Sequence, residues 1–143
     1  MDIFTKISLF SSIGIISSGI FLPESKALYE KIEEVEKKVK TRSRNFTPVN
    51  GEISIGGLNY EISSQMDGNE RITTITPFLG ETQLSISKEF RKDKKDFGTK
   101  TPGIDQKLNQ LIINSNKVIA KDNTFSPDAR AAAIGRLDAF YVS

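Results

Sequence analysis

The side chains able to do chemistry in this chain are carboxylates, amines, hydroxyls and phenols, because its 143 residues include no His and no Cys. Without them there is no thiolate nucleophile, no thiolate-bound metal and no Ser-His-Asp triad. Glycoside hydrolysis needs two facing carboxyl groups, one of them kept protonated. The candidates are Glu52, Glu61 and Glu70, but nothing in the sequence pairs them, and Glu52 and Glu61 suit the solvent face of a hairpin.

A second set of candidates is a basic cluster whose members are Arg91, Lys92, Lys94, Lys95 and Lys100. Such a cluster can contact an anionic surface or an acidic partner, and it is equally typical of a solvated loop. The whole chain carries 20 basic and 18 acidic residues, a formal net charge of +2. This balance argues against nucleic acid as a partner.

The amino-terminal region contains an uncharged apolar run, ISLFSSIGIISSGIFL, at residues 7–22. As a helix this run spans roughly 24 Å, short of the ~30 Å hydrocarbon core, although it suits the apolar region of a signal peptide. Pro23 is expected to end that helix. Ser25 and Ala27 place small residues at positions −3 and −1 of a cut after Ala27.

We therefore predict a signal peptide over residues 1–27 and export to the periplasm or the extracellular space. The alternative is a retained anchor. In that case the protein contacts a membrane only through residues 4–22, and residues 28–143 lie outside the cytoplasm.

The layout of an apolar helix opening with Phe4-Thr5, a proline, an amphipathic helix and a β-rich region resembles the type IV pilins and pseudopilins. Those families carry a glycine just before the mature start and a glutamate at its fifth position. This chain has Ile3 and Ser8 at those places. The resemblance implies a membrane-anchored, pilin-like subunit of a larger assembly, which we keep as an alternative.

Helical periodicity marks three segments. In residues 27–42, one stripe is formed by Leu28, Ile32, Val35 and Val39, with acidic residues first and basic residues after them. We expect this helix to pack on its own domain, and Glu36 to pair with Lys40. Residues 104–121 form a second helix. Ser126 is expected to cap a third, whose buried face contains Ala133, Leu137 and Phe140.

The period changes to two between residues 51 and 90, where polar and apolar residues alternate. Gly56-Gly57 predicts a hairpin turn, because glycine reaches the positive φ angles of primed turns without steric cost. Two more turns follow, at residues 67–69 and at Gly80. The pattern predicts a four-stranded antiparallel meander with one buried face, its last strand ending at Phe90.

Together these patterns predict an α+β fold with a signal peptide or short apolar helix in front. The single domain covers residues 28–143: a helix and linker over 28–50, the β-meander over 51–90 and a helical hairpin over 104–143. We expect a small, exported, non-catalytic binding or structural subunit with no cofactor and no metal. Its partners would be other proteins, copies of itself or an anionic surface.

Overall fold

The computed structural model describes residues 22–41, 48–93 and 102–142, and shows an α+β fold in which helices flank an antiparallel sheet. The elements, in chain order, are α1 (Pro23–Thr41), β1 (Val49–Ile55), β2 (Leu58–Asp67), β3 (Glu70–Leu79), β4 (Thr82–Gln83), β5 (Lys88–Asp93), α2 (Ile104–Lys121) and α3 (Pro127–Val142). The predicted fold class, the antiparallel meander and the carboxyl-terminal helical hairpin are confirmed.

The sheet is a meander of β1, β2 and β3, followed by an interrupted fourth strand. Both β4 and β5 pair with β3 on the side away from β2, so together they occupy one position in the sheet. The interruption falls opposite Pro77, whose carbonyl accepts the Leu84 N–H at 3.0 Å. Because Pro77 has no N–H group, it cannot donate the reciprocal hydrogen bond to Leu84, and the ladder breaks there.

The fourth strand therefore differs from the single strand predicted to end at Phe90. It is broken at residues 84–87 and continues to Asp93. Leu84 and Phe90 are nevertheless both buried in the core, as the alternation predicted.

The turn between β1 and β2 sets the register of the hairpin. Gly56 and Gly57 have φ angles of 56° and 81°, which are the two positive values of a type I′ turn. Ile55 consequently faces Leu58, and the pairing runs without interruption to Val49 opposite Ser64. The two-residue connection predicted from Gly56-Gly57 is present.

All three helices cover the same face of the sheet. On β2 the side chains of Leu58, Tyr60 and Ile62 are almost fully buried, while the residues between them are exposed or half-buried. Helix α1 packs on β1, β2 and α2, and α2 packs on α3. The predicted stripe of α1 lies in this core through Leu28 and Ile32.

Helix α1 begins four residues before the predicted start at residue 27. Pro23 is its first residue, where a missing N–H costs nothing and the fixed φ suits a helix. The Leu22 N–H donates to Oδ1 of the buried Asn109 on α2 at 3.1 Å, and Leu22 O accepts the Lys26 N–H. This tertiary hydrogen bond fixes the point where the helix begins.

The helical hairpin of α2 and α3 is held by capping and by one polar link. The Ser126 hydroxyl accepts the Ala129 N–H at 3.1 Å, as expected of an N-cap. Arg136 Nε on α3 donates to Oδ1 of the buried Asn116 on α2 at 2.6 Å. The predicted apolar face of α3 is buried at Ala133, Leu137 and Phe140.

Helix α1 approaches β1 closely at Gly51, which has no side chain. A Cβ atom on Gly51 would lie only 2.7 Å from Val35 Cγ2. Carbon atoms pack at about 3.5–4.0 Å, so any larger residue at position 51 has to push the helix away. The glycine is required here for close approach.

A buried ion pair joins α1 to the centre of the sheet. Arg71 Nη2 on β3 lies 2.7 Å from Glu36 Oε2, and their side chains are 4% and 18% exposed. The Thr73 hydroxyl donates to the same carboxylate oxygen at 3.3 Å and bonds the Ser64 hydroxyl at 2.9 Å. Glu36 thus reaches across to the sheet, while the side chain of Lys40, its expected partner on α1, lies outside the described residues.

Burial governs the ionisation of this pair. It raises the pKa of the Glu36 carboxyl, and the opposing effects of Arg71, Lys92 and Thr73 do not cancel that rise. It also lowers the pKa of Arg71, against the opposing effect of Glu36. Since desolvation outweighs attraction for both groups, the pair fixes the position of α1 more than it stabilises the fold.

Replacing Gly51 with Ala should lower the free energy of unfolding by about 1–3 kcal/mol, because the new methyl group overpacks the contact with Val35. The same substitution at Gly135 is the matched control. Gly135 lies exposed in α3, with no atom within 4 Å of an added Cβ, so Gly135→Ala should stabilise the protein by about 0.5–1 kcal/mol. Urea denaturation measures both, and equal effects would contradict the close-contact assignment.

Replacing Arg71 with Met should lower the free energy of unfolding by about 3 kcal/mol at neutral pH, because it leaves the Glu36 carboxylate buried without its counter-ion. The pKa of Glu36, already above its ordinary value of 4.5, should rise further. A group whose pKa is raised by folding contributes its stability below the unfolded pKa and loses it as pH rises through the folded pKa. The loss should therefore shrink as pH falls towards 4.5.

The control for this experiment is the double variant Arg71→Met with Glu36→Gln. It removes the buried charge as well, so it should recover stability at neutral pH and lose the pH dependence. Denaturant titrations between about pH 4 and pH 7 compare the two variants. If the stability difference between Arg71→Met and the unchanged protein does not shrink on acidification, Glu36 is not desolvated.

Candidate functional site

The face of the sheet opposite the helices carries the polar residues of the alternating pattern. No described helix packs on it, and its side chains come from alternate positions of each strand. Those of β1 and β2 are polar or acidic, and those of β3 are β-branched or aromatic. The central members are Asn50, Glu52, Ser54, Asn59, Glu61, Ser63, Ile72, Thr74, Thr76 and Phe78. We call this surface the open face.

A groove of about 460 Å³ lies on the open face across β1, β2 and β3. Six of its eight lining residues have hydroxyl, amide or carboxylate side chains, and none is basic. The lining residues are Asn50, Gly51, Glu52, Glu61, Ile62, Ser63, Thr74 and Thr76. The groove can therefore accept hydrogen bonds from a bound group and attract positive charge.

The two carboxylates of the groove stand directly opposite each other. Glu52 on β1 is the register partner of Glu61 on β2, and both side chains are exposed. Glu52 Oε2 accepts a hydrogen bond from Asn59 Nδ2 at 3.2 Å, and Asn59 Oδ1 in turn accepts one from the Ser54 hydroxyl. Like charges in directly opposed positions destabilise a sheet, a cost that a bound cation would remove.

The third candidate carboxylate lies away from this pair. Glu70 begins β3, facing Asp67 on one side and Asp93 on the other, and its carboxylate is 3.8 Å from Arg91 Nη1. The structure thus brings together Glu52 and Glu61, which the sequence did not pair, and separates Glu70 from them. Both members of the close pair are exposed on the surface of the sheet.

The predicted basic cluster is divided by the structure. Because β5 extends to Asp93, Arg91 and Lys92 are consecutive strand residues and point to opposite faces of the sheet. Arg91 lies on the open face beside Glu70 and Glu89, whereas Lys92 is half-buried on the helix side near Glu36. Lys94, Lys95 and Lys100 lie outside the described residues.

The predicted cleavage site lies inside α1. Ser25 is fully buried in its first turns, and Ala27 is partly exposed in the same helix. A peptidase that requires an extended segment must therefore act before α1 forms. Cleavage after Ala27 remains a prediction, and it would remove residues 23–27 of α1 together with the Leu22–Asn109 hydrogen bond.

Within the described residues, no group of three or more acidic side chains is arranged to hold a metal ion. None of the helices in those residues is long and apolar enough to cross a membrane.

Sequence reasoning missed four residues of the groove, Asn50, Ser63, Thr74 and Thr76. The alternation over residues 51–90 puts Ser63, Thr74 and Thr76 on the non-core face but gives no reason to group them. Asn50 was expected in the linker, whereas β1 begins at Val49. Comparison of the chain with protein-family models, with curated proteins and with solved structures finds no match.

Proposed function

We propose that this protein is a small, exported, non-catalytic binding subunit that contacts a protein partner through the open face of its sheet. The observation that carries the proposal is the groove on that face. It is lined by hydroxyl, amide and carboxylate groups, contains two opposed glutamates and has no basic residue in its lining.

Charge complementarity favours a partner that presents a basic segment. The exposed carboxylates of Glu52 and Glu61 can each accept a charge-assisted hydrogen bond from a lysine or an arginine. Hydroxyl groups that can hydrogen-bond the partner's other polar side chains come from Ser63, Thr74 and Thr76. The same charges repel phosphate groups, so the groove does not suit nucleic acid or an anionic lipid surface.

Binding has better support than catalysis at this site. A glycosidase requires one carboxyl group held in an apolar pocket, and both carboxylates of this groove are exposed to solvent. A hydrolase based on Glu52 and Glu61 is therefore the weaker alternative.

A basic heptapeptide in which lysine and valine alternate should bind the groove. Backbone amide shifts in a ¹⁵N NMR titration should change around Glu52, Glu61 and Thr76, because the lysines replace the missing counter-ions of the carboxylate pair. A heptapeptide with glutamate in place of lysine should cause no such change. Shifts centred on the exposed acidic residues of α1, such as Glu30 and Glu34, would contradict the proposal.

Charge reversal provides the matched control for this titration. Glu61→Lys should weaken binding about tenfold, since it replaces an attraction by a repulsion and every 1.4 kcal/mol is tenfold in affinity. Glu81→Lys changes the net charge by the same amount on the exposed β3–β4 turn and should leave binding within about twofold. Equal losses in the two variants would indicate attraction to net charge alone.

The apolar run at residues 7–22 is typical of a secretion signal or an anchor, which supports the proposal that the subunit is exported. The protein isolated from its own source should have lost residues 1–27 and should begin at Leu28. Intact-mass measurement and amino-terminal sequencing test this directly. If the isolated chain keeps the apolar run and sediments with membranes, the hypothesis of an anchored, pilin-like subunit replaces that of a free subunit.

A further inference from the structure

Strand β1 forms one edge of the sheet. Among the described residues it pairs with β2 alone, so its other side presents backbone N–H and C=O groups that make no ladder bonds. The two-residue turn makes Ile55 and Leu58 a hydrogen-bonded pair, and such pairs alternate along an antiparallel ladder. The outward-directed groups are therefore those of Asn50, Glu52 and Ser54.

The two edges of the sheet differ in how they are protected. The edge formed by β4 and β5 is broken opposite Pro77 and carries Lys88, Arg91 and Lys92, which are features that discourage pairing with another chain. Strand β1 has no lysine, no proline and no bulge, and its register runs through seven consecutive pairs. An edge of this kind is a template for an additional strand.

The side chains along β1 define what such a strand must carry. Asn50, Glu52 and Ser54 lie on the open face, where the groove is acidic. On the helix side, Ile53 and Ile55 pack against the rim of the core and are only partly buried. A strand laid beside β1 would therefore place one row of its side chains by Glu52 and the other by the two isoleucines.

We propose that β1 accepts an extended segment of a protein partner as an additional strand, with basic residues towards Glu52 alternating with apolar residues towards Ile53 and Ile55. This inference rests on the proposed function and specifies how the partner binds. A second copy of the chain is a poorer occupant, because it would bring its own acidic groove to the same side of the joined sheet and double the negative charge.

The test uses the full chain and the lysine–valine heptapeptide. Bound peptide should slow amide hydrogen exchange at Asn50, Glu52 and Ser54 by at least about tenfold, since these N–H groups gain acceptors. A second heptapeptide, N-methylated at alternate residues on its hydrogen-bonding edge, should bind at least about tenfold more weakly. A third with the same composition but lysines and valines in separate blocks should also bind weakly.

A substitution in β1 tests the same edge from the protein side. Ser54→Pro removes one outward N–H and leaves the bonds between β1 and β2 intact, because Pro is tolerated where an edge strand faces solvent. It should weaken peptide binding about tenfold, while Ser54→Ala, which keeps the N–H, should not. If Ser54→Pro fails to fold, the affinity of the N-methylated peptide for the unchanged protein tests strand addition by itself.

The outcomes separate this inference from the proposed function. Binding at the groove that is indifferent to N-methylation and leaves the β1 amides unprotected would overturn strand addition and keep the basic partner. Absence of binding by any of the peptides would overturn both. Protection of the β1 amides together with sensitivity to N-methylation would establish the added strand.

Discussion

The register of β1 against β2 is the constraint on which the rest of the structure depends. The positive φ angles of Gly56 and Gly57 close the hairpin in two residues, and this turn determines which side chains stand opposite each other. A slip of one residue would move every side chain of β1 to the other face. In this register the apolar row of β2 faces the helices. Glu52 and Glu61 stand opposite each other on the open face for the same reason.

Helix α1 is held on that sheet by two contacts of opposite character. At Gly51 the backbone of β1 approaches Val35 closely, so shape decides the distance between helix and sheet. At Glu36 and Arg71 a desolvated ion pair decides how the helix is positioned along the sheet, at some cost in stability. The hydrogen bond from Leu22 to Asn109 then fixes where the helix begins.

Placing the three described helices on one face has a direct consequence for function. It buries most of the apolar side of the sheet and leaves the polar side with a groove whose lining includes two carboxylates and no basic residue. The groove extends to β1, an edge strand whose own residues include no lysine and no proline. A surface that is both acidic and open at its edge suits an extended basic segment better than a small molecule, which usually requires a concave and mostly apolar pocket.

The sequence by itself determined the local structure. Two-residue alternation identified the strands, helical periodicity and the Ser126-Pro127 cap identified the helices, and Gly56-Gly57 identified the hairpin turn, because each of these signals acts between residues that are near in the chain. Only the tertiary structure decided the start of α1 at Pro23, the partner of Glu36, the break opposite Pro77 and the grouping of Asn50, Ser63, Thr74 and Thr76 around the glutamates. These features depend on contacts between residues far apart in the sequence, such as Leu22 with Asn109 and Glu36 with Arg71, which no local pattern encodes.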